Sequence, residues 1–125
     1  MSSKWVDIFN SKFEELVKDL IEIFPEDKDF KLLKSSFSLL KLADKTKPFE
    51  LFVSYGGEFD NVILTRDETF FLNHDFENIV GGDRNFTDEL MKKLKGYWCT
   101  LNDKNKDIIW QYLTLFHQLK KKISI

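Results

Sequence analysis

Few residues in this chain are of a type that does chemistry, and their spacing decides what each can do. His74-Asp75 lies among Asp67, Glu68, Glu77 and Asp83. Carboxylate oxygens gathered around an imidazole are donors for a divalent cation. No spacing here matches a known cation loop, however, and one histidine beside one aspartate lacks the second ligand pair that zinc takes. Asp103-x-Asn105-x-Asp107 opens like a calcium loop but departs from it at two essential places. The glycine required after Asp107 is Ile108, and the closing glutamate is Thr114. A capped helix start accounts for this stretch better. Cys99 with His74 or His117 would make a nucleophile and base pair, but a lone cysteine after Tyr97-Trp98 fits an inert core position. His117, between Phe116 and Gln118, reads as a rim residue. With no glycine-rich phosphate loop and no nucleophile motif, the chain is read as non-enzymatic, with no catalytic, cofactor-binding or metal residues.

The remaining signals concern surfaces. Net charge is −2 but unevenly spread: residues 49–83 carry eight acids against Arg66 alone, and residues 84–125 carry nine bases against four acids. An acidic middle and a basic end either pair within the fold or face different partners; internal pairing is the expectation. Phe70-Phe71-Leu72, bracketed by Asp67, Glu68 and Asp75, either covers one end of the core or forms an aromatic anchor with a charged rim. Asp67, Glu68, Phe70, Phe71 and Asp75 are therefore the candidate partner-binding residues. Lys92, Lys93 and Lys95 with Lys120, Lys121 and Lys122 are the candidate basic patch, though lysines at a helix C-terminus also suit the helix dipole.

These residues must be positioned by helices. Trp5, Phe9, Phe13, Leu16, Leu20 and Ile23 recur every three or four residues, which predicts a helix over 3–24 that Pro25 ends. A second helix is predicted from Asp27 to Asp44, with acids at its start and lysines at its end. Phe30, Leu33, Phe37 and Leu40 form its stripe, and Leu32, Leu39 and Leu42 are read as widening it. The short link through Pro25 makes the first two helices an antiparallel hairpin. A third helical region starts at Pro48 with Thr46 as cap, and Gly56-Gly57 should kink or break it; the competing reading is a hairpin of strands 51–55 and 61–65. A short helical turn at 67–72 and an irregular loop to Asn85 follow. Thr87 caps a fourth helix continuous through Gly96 to Leu101, with Phe86 and Met91 at hydrophobic-staple spacing. Asn102 or Asp103 caps a fifth, to about Lys121. Trp98 and Trp110 are expected in the core on neighbouring antiparallel helices.

The chain has 125 residues, 42% of them hydrophobic and 15% aromatic. That suits one all-α domain over 1–125, an irregular bundle of about five helices. The longest charge-free stretch, Ile108 to Leu119, is far short of the ~20 residues of a membrane span. A lone cysteine and the lack of an export signal point to an intracellular protein.

Phe24-Pro25-Glu26-Asp27, Asp67-Glu68-x-Phe70-Phe71-Leu72, Trp98-x-x-Leu101 and Asn105-Lys106-x-x-Ile109-Trp110-Gln111-Tyr112-Leu113 resemble stretches of short, uncharacterised, all-helical proteins. These are encoded by large nucleocytoplasmic DNA viruses of algae and protists. The resemblance runs through nearly the whole chain on loose, structural motifs, and it brings no established reaction. It implies a viral protein of the virion or the host cytoplasm. Together the readings favour a non-catalytic protein–protein interaction module, with a nucleic-acid-associated factor using the basic C-terminal half as the alternative.

Overall fold

The computed structural model describes residues 3–54, 56–73 and 86–123. Among the described residues the secondary structure is helical throughout: α1 (Ser3–Ile23), α2 (Lys28–Ala43), α3 (Lys47–Val53), α4 (Gly56–Thr65), α5 (Thr69–Asn73), α6 (Phe86–Tyr97), a 3-10 turn (Trp98–Thr100) and α7 (Asp103–Ile123). The all-α expectation holds, and the strand hairpin around the glycine pair does not form.

The boundaries follow from local chemistry. Pro25 stops α1. The Asp27 side chain then accepts the Asp29 N–H at 2.9 Å and caps α2. Asn102 Oδ1 accepts the Asn105 N–H at 2.8 Å and caps α7 in the same way. Thr46 precedes α3 without a side-chain capping bond. α3 ends at Val53, and Gly56-Gly57 open α4. There the N–H groups have no intrahelical partner in any case, so glycine weakens the helix less than in mid-helix. Arg66 ends α4 in left-handed geometry, φ 50°. The Asp67 N–H reaches Val62 O and the Arg66 N–H reaches Ile63 O, the paired bonds of a Schellman motif. The fourth helix departs from its predicted length: after Tyr97 it tightens into the 3-10 turn, and Leu101 is already extended.

Pairings across elements give the topology. Phe24 stacks on Phe30, Phe13 on Phe37, and Glu14 pairs with Lys41 at 2.7 Å, so α1 and α2 run antiparallel. Phe13 stacks on Phe116, Tyr112 donates to Asp19 and Lys122 lies over Trp5, so α7 returns antiparallel along another side of α1. Arg66–Asp107 and Asp60–Lys120 set α4 antiparallel on α7. α6 meets the start of α2 through Tyr97, stacked on Phe24. One apolar cluster joins these elements. Phe9, at its middle, is wholly buried against Phe13, Phe49, Phe52 and Phe116. Trp98 and Trp110 meet edge-to-face inside it, 5.5 Å between centroids, with Trp98 on the 3-10 turn rather than on an α-helix. Among the described residues no helix is long and apolar enough to cross a membrane.

Candidate functional site

Of the acidic candidates, Asp67 and Glu68 are built into the fold. Asp67 Oδ1 accepts both the N–H and the hydroxyl of Thr69 and starts α5. Glu68 Oε1 accepts the Trp98 indole N–H at 3.1 Å and pairs with Lys106 at 3.1 Å. The Lys106 ammonium lies over the Trp98 ring. These donors hold the Glu68 carboxyl below the usual range. Glu68 thus gives the buried indole its polar partner. Phe70 and Phe71 lie in α5, but their side chains, like Asp75 and the neighbouring His74, fall outside the described residues.

The basic candidates do not form one open face. Lys93 pairs with Asp27 at 2.6 Å and Asp29 at 3.0 Å, and sits over the rings of Phe30 and Tyr97. Burial alone would lower its pKa, but the two carboxylates raise it. Asp27 also accepts the Tyr97 hydroxyl; burial would raise the Asp27 carboxyl, yet Lys93 and Tyr97 hold it below its usual range. Lys120 bonds both oxygens of Asp60, at 3.1 and 3.0 Å. Lys121 and Lys122 are exposed, and Lys92 and Lys95 are half-buried.

Two histidine and cysteine readings change. His117 is not on the rim: it is 6% exposed, with Nδ1 3.2 Å from Asp60 Oδ1 and a buried Nε2 that has no hydrogen-bond partner among the described residues. Burial would raise the Asp60 carboxyl, but Lys120 and then His117 hold it low. Sixty residues separate Asp60 from Lys120, so no local motif marks this cluster. Cys99 is exposed rather than a core residue; the end of regular helix at Tyr97 turns it outward. Among the described residues no three His, Cys, Asp or Glu side chains come together as metal ligands.

The feature missed in the sequence is on α2. Phe30, Leu33 and Phe37 are buried, but Leu32, Leu39 and Leu42 are 64, 69 and 83% exposed. They do not widen the core stripe; they form a second one. At about 100° per residue, Leu32 and Leu39 lie roughly 160–180° around the helix from Phe30. That angle was computable from the residue numbers, and counting leucines without it joined two opposite faces. Shallow grooves flank this outer ridge. One, between α1 and α2, is lined by Ile21, Lys31, Lys34, Ser35, Ser38 and Leu39. The other, towards α6, is lined by Leu32, Leu33, Ser36, Asp29, Glu89 and Lys93. The small serines keep the floor low between the leucines.

No family model, curated protein or solved structure matches the chain.

Proposed function

We propose that this chain is a non-catalytic protein-interaction module and that the outward face of α2 is its working surface. The carrying observation is the run of three exposed leucines on one helix face. Single exposed leucines are ordinary. Three on one stripe of a 16-residue helix, with small serines between them and grooves on either flank, group exposed apolar area on one face, as a binding surface does. The alternative nucleic-acid role has less support, because Lys93 and Lys120 of the basic patch are neutralised by Asp27, Asp29 and Asp60. The setting we propose, a virus particle or an infected cell's cytoplasm, rests on the resemblance of the sequence to viral proteins.

The test is a capture experiment from infected-cell extract with the parent chain and a Leu32→Ser, Leu39→Ser double variant. Both leucines are exposed, so the variant should keep the parent's far-UV circular dichroism. The expected result is a defined partner retained by the parent and lost by the variant. Equal retention by both would move the working surface away from α2.

A further inference from the structure

We infer that the α1–α2 groove and its leucine ridge receive an acidic amphipathic helix from a partner protein. The inference rests on α2 being the working surface and specifies the chemistry of what binds there. Leu32, Leu39 and Leu42 span about 15 Å at 1.5 Å per residue, the length of three turns of an opposing helix. Leucines seven apart, with Ser35 and Ser36 between them, match the spacing at which two helices interlock side chains. The groove supplies the second wall through Ile21 and Ser38.

Charge selects the occupant. Lys31 and Lys34 line the groove and Lys28 lies a turn before Leu32. All three are exposed, and none has an ion pair among the described residues, whereas Lys41 and Lys45 of the same region are held by Glu14 and Asp7. A helix with an apolar stripe and flanking carboxylates satisfies both features at once. A second copy of α2 does not, since its own lysines would face these. A lipid surface is the weaker match, because serines occupy the middle of the face where an inserting helix carries bulky apolar groups.

The probe is a synthetic helix of about 20 residues with leucines at heptad spacing and glutamates beside them, titrated into isotope-labelled full-length chain. Amide shifts should move on α2 between Lys31 and Leu42 and at Ile21. Affinity should fall at least about tenfold in Leu39→Glu and in Lys31→Glu, Lys34→Glu. A probe with lysines for glutamates should bind the double charge variant but not the parent. Absence of binding, or equal binding of both probes by the parent, overturns the inference. So does Leu39-dependent binding to phosphatidylserine vesicles without peptide binding, or a Leu39-dependent dimer in sedimentation. If the peptide fails while the captured partner still requires Leu32 and Leu39, only the acidic-helix assignment falls. If the partner ignores those leucines, the α2 surface itself falls.

Discussion

Replacing Phe9 with alanine should unfold this protein more readily than replacing any exposed leucine. Phe9 is 0% exposed, and its ring lies 5.0 Å from Phe116, 5.4 Å from Phe49, 5.7 Å from Phe52 and 6.2 Å from Phe13 between centroids. It is a side chain on which α1, α3 and α7 all converge. Truncation removes the ring's transfer free energy and leaves a cavity bounded by three helices, a cost of about 3–5 kcal/mol. Each aromatic contact adds about 0.5–1.5 kcal/mol, but the four share one ring and do not add, so the upper half of that range is expected. Total stability for a domain is about 5–15 kcal/mol, so the variant should fold marginally. At about 3–6 °C per kcal/mol for a chain of this size, Tm should drop by roughly 12–30 °C. Urea unfolding followed by circular dichroism should show a lower midpoint at unchanged slope. Phe9→Leu should fall between parent and Phe9→Ala, and Leu39→Ala should stay within about 0.5 kcal/mol of the parent. A loss under about 1 kcal/mol for Phe9→Ala would mean the three helices do not meet on this ring.

Other expectations follow from single contacts. The Asp60 carboxyl is held below its usual range by Lys120 and His117 despite burial, so its stabilisation is present above the unfolded aspartate pKa and is lost as pH falls through the lower folded value. Asp60→Asn should therefore be less stable than the parent at pH 7, and the two should converge in unfolding experiments below about pH 4; a constant gap across that window would refute the pairing. Gly96 sits inside α6, and a Cβ there would meet nothing within 4 Å. Gly96→Ala should stabilise by about 0.5–1 kcal/mol in thermal unfolding, and a loss would reveal an unrecognised close approach. Arg66 holds left-handed backbone at φ 50°. Gly and Ala variants both lose its ion pair with Asp107, so their difference isolates the backbone term. Arg66→Gly should be the more stable of the two by about 1 kcal/mol, and the reverse order would contradict the left-handed geometry.

The elements legible in the sequence were those whose burial has one period. α1 carries one apolar stripe over 21 residues: of the residues the spacing names, Phe9, Phe13, Leu16 and Leu20 are buried and Trp5 and Ile23 half-buried, while Val6 and Val17 beside the stripe are buried as well. The cap at Asn102 was legible too, because it acts on an N–H only three residues away; Asp27 was read only as an acid at the helix start, and Thr46 makes no side-chain capping bond. The helix from residue 86 ended early because its last turn is set from elsewhere: Trp98 is drawn to Trp110, Glu68 and Lys106, contacts made by α7 and by the start of α5. His117 was misplaced for the same reason, since its partner lies on α4.

The charge asymmetry of the chain bears on which charges remain available to the partner proposed for α2. Among the described residues an acid of the middle segment meets a base of the end segment in two ion pairs, Asp60 with Lys120 and Glu68 with Lys106, and Arg66 meets Asp107 with the signs exchanged. Each joins α4 or the start of α5 to α7, so these charges serve to dock the two segments. A docked charge is a poor recognition element, because a partner would have to replace an ion pair already made. Lys28, Lys31 and Lys34 are different: they stand exposed beside leucines that the fold does not cover. Lysines can extend into water from any helix, but here they border apolar area that gains by being covered. Uncovered leucine supplies the favourable burial, and lysine without an ion pair among the described residues beside it restricts which surface can supply the cover. That combination occurs on α2, whose inner face is already occupied by Phe30, Leu33 and Phe37, so its outer face is free to bind without disturbing the core.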